Sequence, residues 1–332
     1  MNILITGGAG FIGSHLAEYL LAQGHEVSVI DDLSTGRLEN VQHLMAHPRF
    51  HLAIDTITND MVMDRLVSAC DIIYHLAAAV GVKLIVQSPV HTIETNIMGT
   101  AAIFRAAKRY RRPVLLTSTS EIYGKSESVP FAEDDDRLLG PTTRSRWCYS
   151  ESKAVDEFLA LAYWKEYGLP VVIVRLFNTI GPRQSGRYGM VVPRFVGQAL
   201  AGEPLTVYGD GRQTRCFADV RDIVRGMVAL AECPQAKGQV FNLGSDREIA
   251  IADLARLVIS ITGSKSGIVY LPYEQAYEAG FEDMQRRVPD VSKVAALIGW
   301  RATIPLEESI RAIADYMREA EGMSTNGERI NE

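Results

Sequence analysis

The sequence predicts an α/β fold, a Rossmann-type doubly wound parallel sheet with a smaller C-terminal lobe laid over its carboxyl edge. Three observations carry that prediction. Over the first two hundred residues, short β-branched runs alternate with longer amphipathic stretches, the pattern of parallel strands joined by crossover helices. A glycine-rich turn separates the first apolar run from the first helical stretch. After Gly181-Pro182 the texture becomes loop-rich, with Gly186, Gly189, Pro193, Pro204, Gly209 and Gly211 close together. A length of 332 residues suits two domains of the usual size of about 150 residues each. With 47% hydrophobic and 22% charged residues, the chain can bury a full core without metal or crosslinks.

Taken in order, strands are expected at Asn2–Thr6, Glu26–Ile30, Ile72–His75, Pro113–Ser118 and Val171–Phe177. Helices are expected between them at about Gly13–Gln23, Val90–Arg109 and Ser150–Tyr167. The last two are rich in alanine, which lets helices approach closely, either inside one chain or across a dimer interface. Beyond the loop-rich section come a helix at about Val220–Ala231, a strand at Gln239–Leu243, a helix at about Ile251–Thr262 and a terminal helix near Leu306–Met317. This divides the chain into a dinucleotide-binding domain over residues 1–180 and a substrate lobe mainly over 181–320, with 220–245 returning to the first. The polar stretch 321–332 reads as a frayed tail.

Composition excludes several classes of function. The formal charge of −6 offers no general attraction to nucleic acid or to an anionic membrane. Cys70, Cys148, Cys216 and Cys233 are scattered, without a CxxC pair or a histidine at zinc-ligand spacing, so no metal site and no disulfide framework is expected. No stretch has the form of a signal peptide or a membrane span. A cytoplasmic protein with reduced thiols is the expectation.

The first strand runs into Gly7-Gly8-Ala9-Gly10-Phe11-Ile12-Gly13 and straight on into a helix. A pyrophosphate must approach backbone here, so Cβ atoms at Gly7 and Gly10 would obstruct it, while the amino end of the helix offers N–H groups and a positive dipole. The second strand ends at Asp31, with Asp32 beside it. An acidic side chain there accepts hydrogen bonds from ribose hydroxyls and repels a 2′-phosphate, which favours NAD; the nearby Arg37 keeps NADP open. Asp55 and Thr56, after another apolar stretch, could meet the adenine edge or serve only as polar loop residues.

Thr117-Ser118-Thr119-Ser120-Glu121-Ile122-Tyr123-Gly124 follows the end of a later strand, and Tyr149-Ser150-Glu151-Ser152-Lys153 opens a long helix. Positions four apart share a helix face, so Lys153 can stand beneath Tyr149. An ammonium and an oxidised nicotinamide would lower the phenol from its ordinary pKa of about 10 toward neutrality, where it serves as a general base.

In combination these motifs resemble the extended short-chain dehydrogenase/reductases of the nucleotide-sugar epimerase, dehydratase and decarboxylase branch. The likeness also rests on Leu76-Ala77-Ala78, Asn96, Arg175-Leu176-Phe177-Asn178, Gly181-Pro182-Arg183 and Tyr208-Gly209-Asp210-Gly211. It implies that Thr119, Tyr149 and Lys153 form the proton-transfer set. It further implies that Asn178, Arg215 and Arg287 approach a UDP-sugar, that NAD is the cofactor and that the protein is a homodimer. Arginines suit such a task because a planar fork clamps phosphate or carboxylate bidentately.

Within the branch, Thr119-Ser120-Glu121, Cys148-Tyr149-Ser150-Glu151-Ser152-Lys153 and the placement of Arg287 are similar to the UDP-glucuronate decarboxylases, from which the segment 140–147 departs as an insertion. That resemblance implies oxidation at C4, loss of carbon dioxide from C5, proton or water placement by Ser120 and Glu121, and a carboxylate held by Arg287. A 4-epimerase, a GDP-mannose-type 4,6-dehydratase and a non-catalytic NAD-binding regulator stand as alternatives. Lys83 reads as a solvated side chain.

Overall fold

A strand covered on both faces needs side chains that are apolar in both directions, so it reads as an unbroken run and not as an alternation. β1 (Asn2–Thr6) has that character: Ile3, Leu4 and Ile5 are all buried. In the computed structural model it is followed by α1 (Phe11–Ala22), β2 (Glu26–Asp31), β3 (Phe50–Ile54), α2 (Asp60–Ala69), β4 (Ile72–His75), α3 (Val82–Gln87), α4 (Pro89–Tyr110), β5 (Val114–Thr119), α5 (Trp147–Tyr167) and β6 (Val171–Leu176). The structure describes residues 1–186, 190–272 and 286–328, with the side chains of 82–84 and 321–328 outside the description. Gly189 and the Lys83 side chain are therefore outside the described residues, as is the segment 329–332.

Past β6 the chain forms β7 (Thr179–Ile180), α6 (Val191–Leu200), β8 (Leu205–Tyr208), β9 (Thr214–Cys216), β10 (Ala218–Asp219) and α7 (Val220–Glu232). It then returns to the main sheet as β11 (Gln239–Leu243) before β12 (Glu248–Ala250), α8 (Ile251–Thr262), β13 (Ile268–Leu271), α9 (Ser292–Ile298) and α10 (Leu306–Glu328). The main sheet has the order β11-β6-β5-β4-β1-β2-β3 and is parallel throughout. One face packs Leu16, Leu20, Ile223 and Met227 from α1 and α7 against Ile3, Val27 and Val174. The other packs Val67, Ile103, Phe104 and Ala160 from α2, α4 and α5 against Leu4, Ile73 and Leu116. A third apolar cluster, with Phe195, Leu205, Leu254 and Ile310, lies among α6, β8, α8 and α10.

Several elements differ from the sequence expectation. β3 was not anticipated, because at the sheet edge its burial is broken and His51 faces out toward Glu26 at 3.0 Å. α6 forms inside the section read as loops; its Pro193 falls in the first helical turn, where a missing N–H breaks no intrahelical bond. α10 continues to Glu328, so residues 321–328 are helical and not a frayed tail. α5 begins at Trp147, three residues ahead of the expected Ser150, so Tyr149 lies inside its first turn.

Candidate active site

Connections leave β1 toward β2 on one side of the sheet, while β4 continues the sheet on the other. That reversal opens a crevice above the carboxyl ends of β1 and β4, the position where doubly wound sheets bind ligands. A cavity of about 1180 Å³ occupies it. This exceeds the range of about 300–1,000 Å³ typical for one drug-sized ligand, and leaves room for a dinucleotide and a second nucleotide together.

At one end the wall consists of the glycine turn. Gly7 adopts φ +71°, and a Cβ there would fall 2.8 Å from Ala77 Cα. A Cβ on Gly13 would sit 2.3 Å from the Gly7 carbonyl oxygen. Both glycines are thus required by the protein's own backbone. Gly10, where a Cβ meets only the Gly7 oxygen at 3.1 Å, lines the cavity at the amino end of α1.

Asp31 closes the same end. Its carboxylate accepts from the Ala9 and Leu33 N–H groups, each at 2.9 Å, and burial pushes its pKa up against those bonds. Phe11, Ile12, Asp32, Asp55, Thr56 and Arg37 line this region of the wall, as do Leu76, Ala77, Ala78 and Thr117 deeper in. A tight glycine cradle at a helix amino end, with a buried carboxylate opposite, fits the pyrophosphate and ribose of NAD. Asn96 does not reach the wall. It is buried behind it, accepting from Ala79 N–H at 2.8 Å and donating to Ser152 Oγ at 3.0 Å, so it ties the β4 loop to α5.

The other end gathers the reacting groups. Thr119 ends β5, Ser120 and Glu121 turn away from it in a single 3₁₀ turn, and Tyr149 and Lys153 face the cavity from α5. Tyr149 shares a hydrogen bond with the Thr119 hydroxyl. Burial drives its phenol well above the ordinary range, and the Glu121 carboxylate adds to that rise. The Lys153 ammonium donates to Asp156 Oδ2 at 2.8 Å. It is thus engaged behind Tyr149 by a partner that the YxxxK spacing did not reveal.

Burial alone would raise the Glu121 carboxyl, but the guanidinium groups of Arg146 and Arg287, with Arg215 behind them, hold it below the usual carboxylate range. Arg287 Nη2 lies 3.2 Å from Glu121 Oε1 and Arg146 Nη2 lies 3.7 Å from Oε2. Sequence reasoning missed Arg146, although it lies in the segment that departs from the decarboxylase pattern. Its position three residues before Tyr149, next to a helix start, was the available signal. Asn178 also reaches the wall, its amide donating to the Cys216 carbonyl at 2.9 Å.

This constellation is held from below by a second buried pair. Arg175 on β6 meets Glu157 of α5 through two hydrogen bonds of 3.0 and 2.8 Å, and also donates to the Tyr123 hydroxyl at 2.9 Å. Tyr123 in turn donates to Asn242 of β11 at 2.7 Å. One network therefore fixes β6, β11, α5 and the turn carrying Glu121 relative to one another.

Comparison with known proteins agrees with this geometry. The sequence profile of the GDP-mannose 4,6 dehydratase family matches residues 4–313. The chain is 41% identical over 319 residues to a UDP-N-acetyl-alpha-D-glucosaminuronate decarboxylase of Bacillus cytotoxicus, spanning 96% of this chain and 98% of that one. It is 42% identical over 326 residues to UDP-glucuronic acid decarboxylase 1 of Danio rerio, spanning 98% of this chain and 75% of its relative. The structure of UDP-glucuronic acid 4-epimerase from Bacillus cereus, in complex with UDP-glucuronic acid and NAD, matches with a TM-score of 0.86 at 31% identity. That match covers 96% of this chain and 100% of the other.

Proposed function

Since the chain belongs to the GDP-mannose 4,6-dehydratase family, we propose that it is an NAD-dependent enzyme that decarboxylates UDP-glucuronate to UDP-xylose by way of a transient 4-keto sugar. The observation that carries the reading is the convergence of Arg146, Arg215 and Arg287 on the Glu121 carboxylate beside Tyr149 and Thr119. Buried guanidinium groups that line one cavity, Arg146, Arg215 and Arg287, suit a substrate with a sugar carboxylate as well as a diphosphate. The decarboxylase relatives support it.

Gly7, Gly10, Phe11, Ile12 and Gly13 would hold the pyrophosphate of NAD and Asp31 its ribose; when bound, NAD supplies a reversible hydride acceptor. Tyr149 takes the proton of the C4 hydroxyl, which Thr119 orients. With a carbonyl at C4, the C5 carboxylate is β to a ketone, and its loss as carbon dioxide leaves an enolate that Tyr149 and its neighbours stabilise. Arg287 grips the carboxylate until it departs. Glu121 is ionised by its arginines, so it accepts and does not donate; with Ser120 it orients the water through which a solvent proton reaches C5, and Tyr149 returns its proton to the C4 oxygen when the ketone is reduced.

Residues 1–180 with 220–245 form the dinucleotide half in this reading, and most of 181–320 the nucleotide-sugar half. Val90, Ile93 and Met98 on α4 and Val155 and Phe158 on α5 are exposed, with Phe158 at 68%. They support a homodimer seam along these helices, which light scattering tests: a monomer mass refutes it. All four cysteines are free thiols, as suits the cytoplasm. Among the described residues no helix is long and apolar enough to cross a membrane.

The test supplies the NAD-loaded protein with UDP-glucuronate and follows gas release and product. Carbon dioxide with UDP-xylose is expected, and Tyr149→Phe should abolish it while NAD stays bound. A 4-epimer without gas, or no turnover, overturns the reading. UDP-N-acetylglucosaminuronate is the second candidate, favoured by the near-complete coverage of the Bacillus cytotoxicus relative; the ratio of kcat/KM for the two sugars decides between them.

A further inference from the structure

Behind the reacting end of the cavity runs a row of buried polar groups that the proposed reaction does not use. Asp156 is fully buried, and Lys153 is its hydrogen-bonded ion-pair partner at 2.8 Å. A carboxylate in such a place is costly unless its charge is answered. Burial pushes the Asp156 carboxyl up, and the Lys153 ammonium and, more weakly, the Thr100 hydroxyl of α4 oppose that rise. Thr100 Oγ1 also lies 3.0 Å from His75 Nε2, and His75 Nδ1 lies 2.7 Å from Thr6 Oγ1. Thr6 Oγ1 accepts from the Ala77 N–H at 3.2 Å, in the wall of the cofactor end.

The protons in this row can be assigned. A carboxylate only accepts, so Thr100 turns its proton toward Asp156 and its oxygen accepts from His75 Nε2–H; Nδ1 then accepts from the Thr6 hydroxyl. The neutral imidazole that this requires agrees with its burial and with the nearby Lys153, which bring its pKa down to about 3. Every donor from Ala77 to Thr100 therefore points the same way, toward Asp156.

We propose that Asp156 is a positioning residue for the Tyr149–Lys153 pair: it holds the ammonium back in the resting site and thereby sets the pH at which the phenol becomes a base. This rests on the reading of Tyr149 as that base. Around Tyr149 stand Thr119 at the end of β5, Glu121 in the turn after it with Arg146 beyond, Arg287 from the C-terminal lobe, and Asp156 on its own helix. Around the ammonium stand Asp156 and, from β4, His75; Glu157 of α5 lies next to Asp156. Burial raises the phenol first, Glu121 and Asp156 add to it, and Thr119 and Arg287 oppose. A carboxylate that offsets the lysine charge thus works against the phenolate, and removing its charge releases the full effect of the ammonium.

The test is a pH titration of tyrosinate absorbance in the NAD-loaded protein, each form being read as the difference from its own Tyr149→Phe version. Asp156→Asn keeps the shape and one acceptor oxygen while removing the charge. Its Tyr149 midpoint is expected about one pH unit below that of the unmodified protein, with the acid limb of kcat moving the same way. Asp156→Glu, which keeps the charge, should stay with the parent. A midpoint that is unmoved or raised in folded Asp156→Asn overturns the proposal, since a merely structural role would lower stability and leave the titration where it was. Should Asp156→Asn not fold, Thr100→Val removes the hydroxyl that favours ionised Asp156. A smaller downward shift is expected from it, and an unmoved or raised midpoint again overturns the proposal. The titration uses no sugar, so a lack of turnover with UDP-glucuronate would refute the function without touching Asp156.

Discussion

Replacing Glu121 by glutamine removes a negative charge set between Arg146 and Arg287 while keeping its shape. At separations of 3.2 and 3.7 Å, each attraction amounts to about 5 kcal/mol for an effective dielectric constant of about 20. Desolvation of the three groups offsets most of this, and removing one partner of the buried cluster costs about 3 kcal/mol net. For a chain of this size that lowers Tm by about 4 °C. Loss of the Glu121 charge removes one internal competitor for the substrate's anionic groups at Arg146 and Arg287. The variant should therefore bind UDP-glucuronate more tightly, with a lower KM and a thermal shift on adding the sugar that exceeds that of the unmodified enzyme by several degrees. Without the acceptor that orients water at C5, kcat should fall about 100-fold or more. Calorimetry of the NAD-loaded protein with and without UDP-glucuronate, beside steady-state kinetics, measures all three quantities. Unchanged kcat, together with equal thermal shifts in the two proteins, would show that Glu121 neither balances the arginines nor serves the reaction.

Gly13→Ala drives a Cβ to 2.3 Å from the Gly7 oxygen and 2.7 Å from Gly8 Cα, both backbone, and should cost about 1–3 kcal/mol of stability and bound NAD through gel filtration. Gly10→Ala, whose tightest approach is 3.1 Å, should keep more cofactor, and equal retention would refute the distinction. His75 and His15 have pKa values brought down to about 3 and about 4, in both cases first by burial. An unfolded histidine takes up its proton near pH 6.5, so the unfolded state binds more protons below that pH. Stability is therefore lost as pH falls from about 6.5 toward 4, at about 1.4 kcal/mol per pH unit for each histidine. Urea unfolding across that window measures the slope, and His75→Gln should make it shallower; an identical slope would refute the assignment.

The central sheet was readable because β1, β4, β5 and β6 are covered on both faces, and their codes are runs such as Ile3-Leu4-Ile5 and Val171-Val172-Ile173-Val174. β3 escaped notice because an edge strand needs only part of its surface buried. The short strands β8, β9, β12 and β13 were missed for a related reason, since each has three or four residues, too few for a period to show. In the site, what local spacing encodes was visible: the glycine turn, Asp31, and the pair Tyr149 and Lys153 on one helix face. What depends on distant contacts was not. Arg146 and Glu121 meet across 25 positions, counting from 121 to 146, and Thr6, His75, Thr100 and Asp156 come from four different elements. Asn96 shows the converse, a motif residue that the fold sets one layer behind the wall.

The polypeptide abandons the sheet after β6 and returns much later to add β11 on that flank, with α7 laid over α1 on the way. A fragment cut near residue 180 would therefore carry β6 as a raw outer strand, its Val172 and Val174 stripped of cover, and would be prone to stick to its own copies. β6 thus owes its cover to a segment that follows much later in the chain.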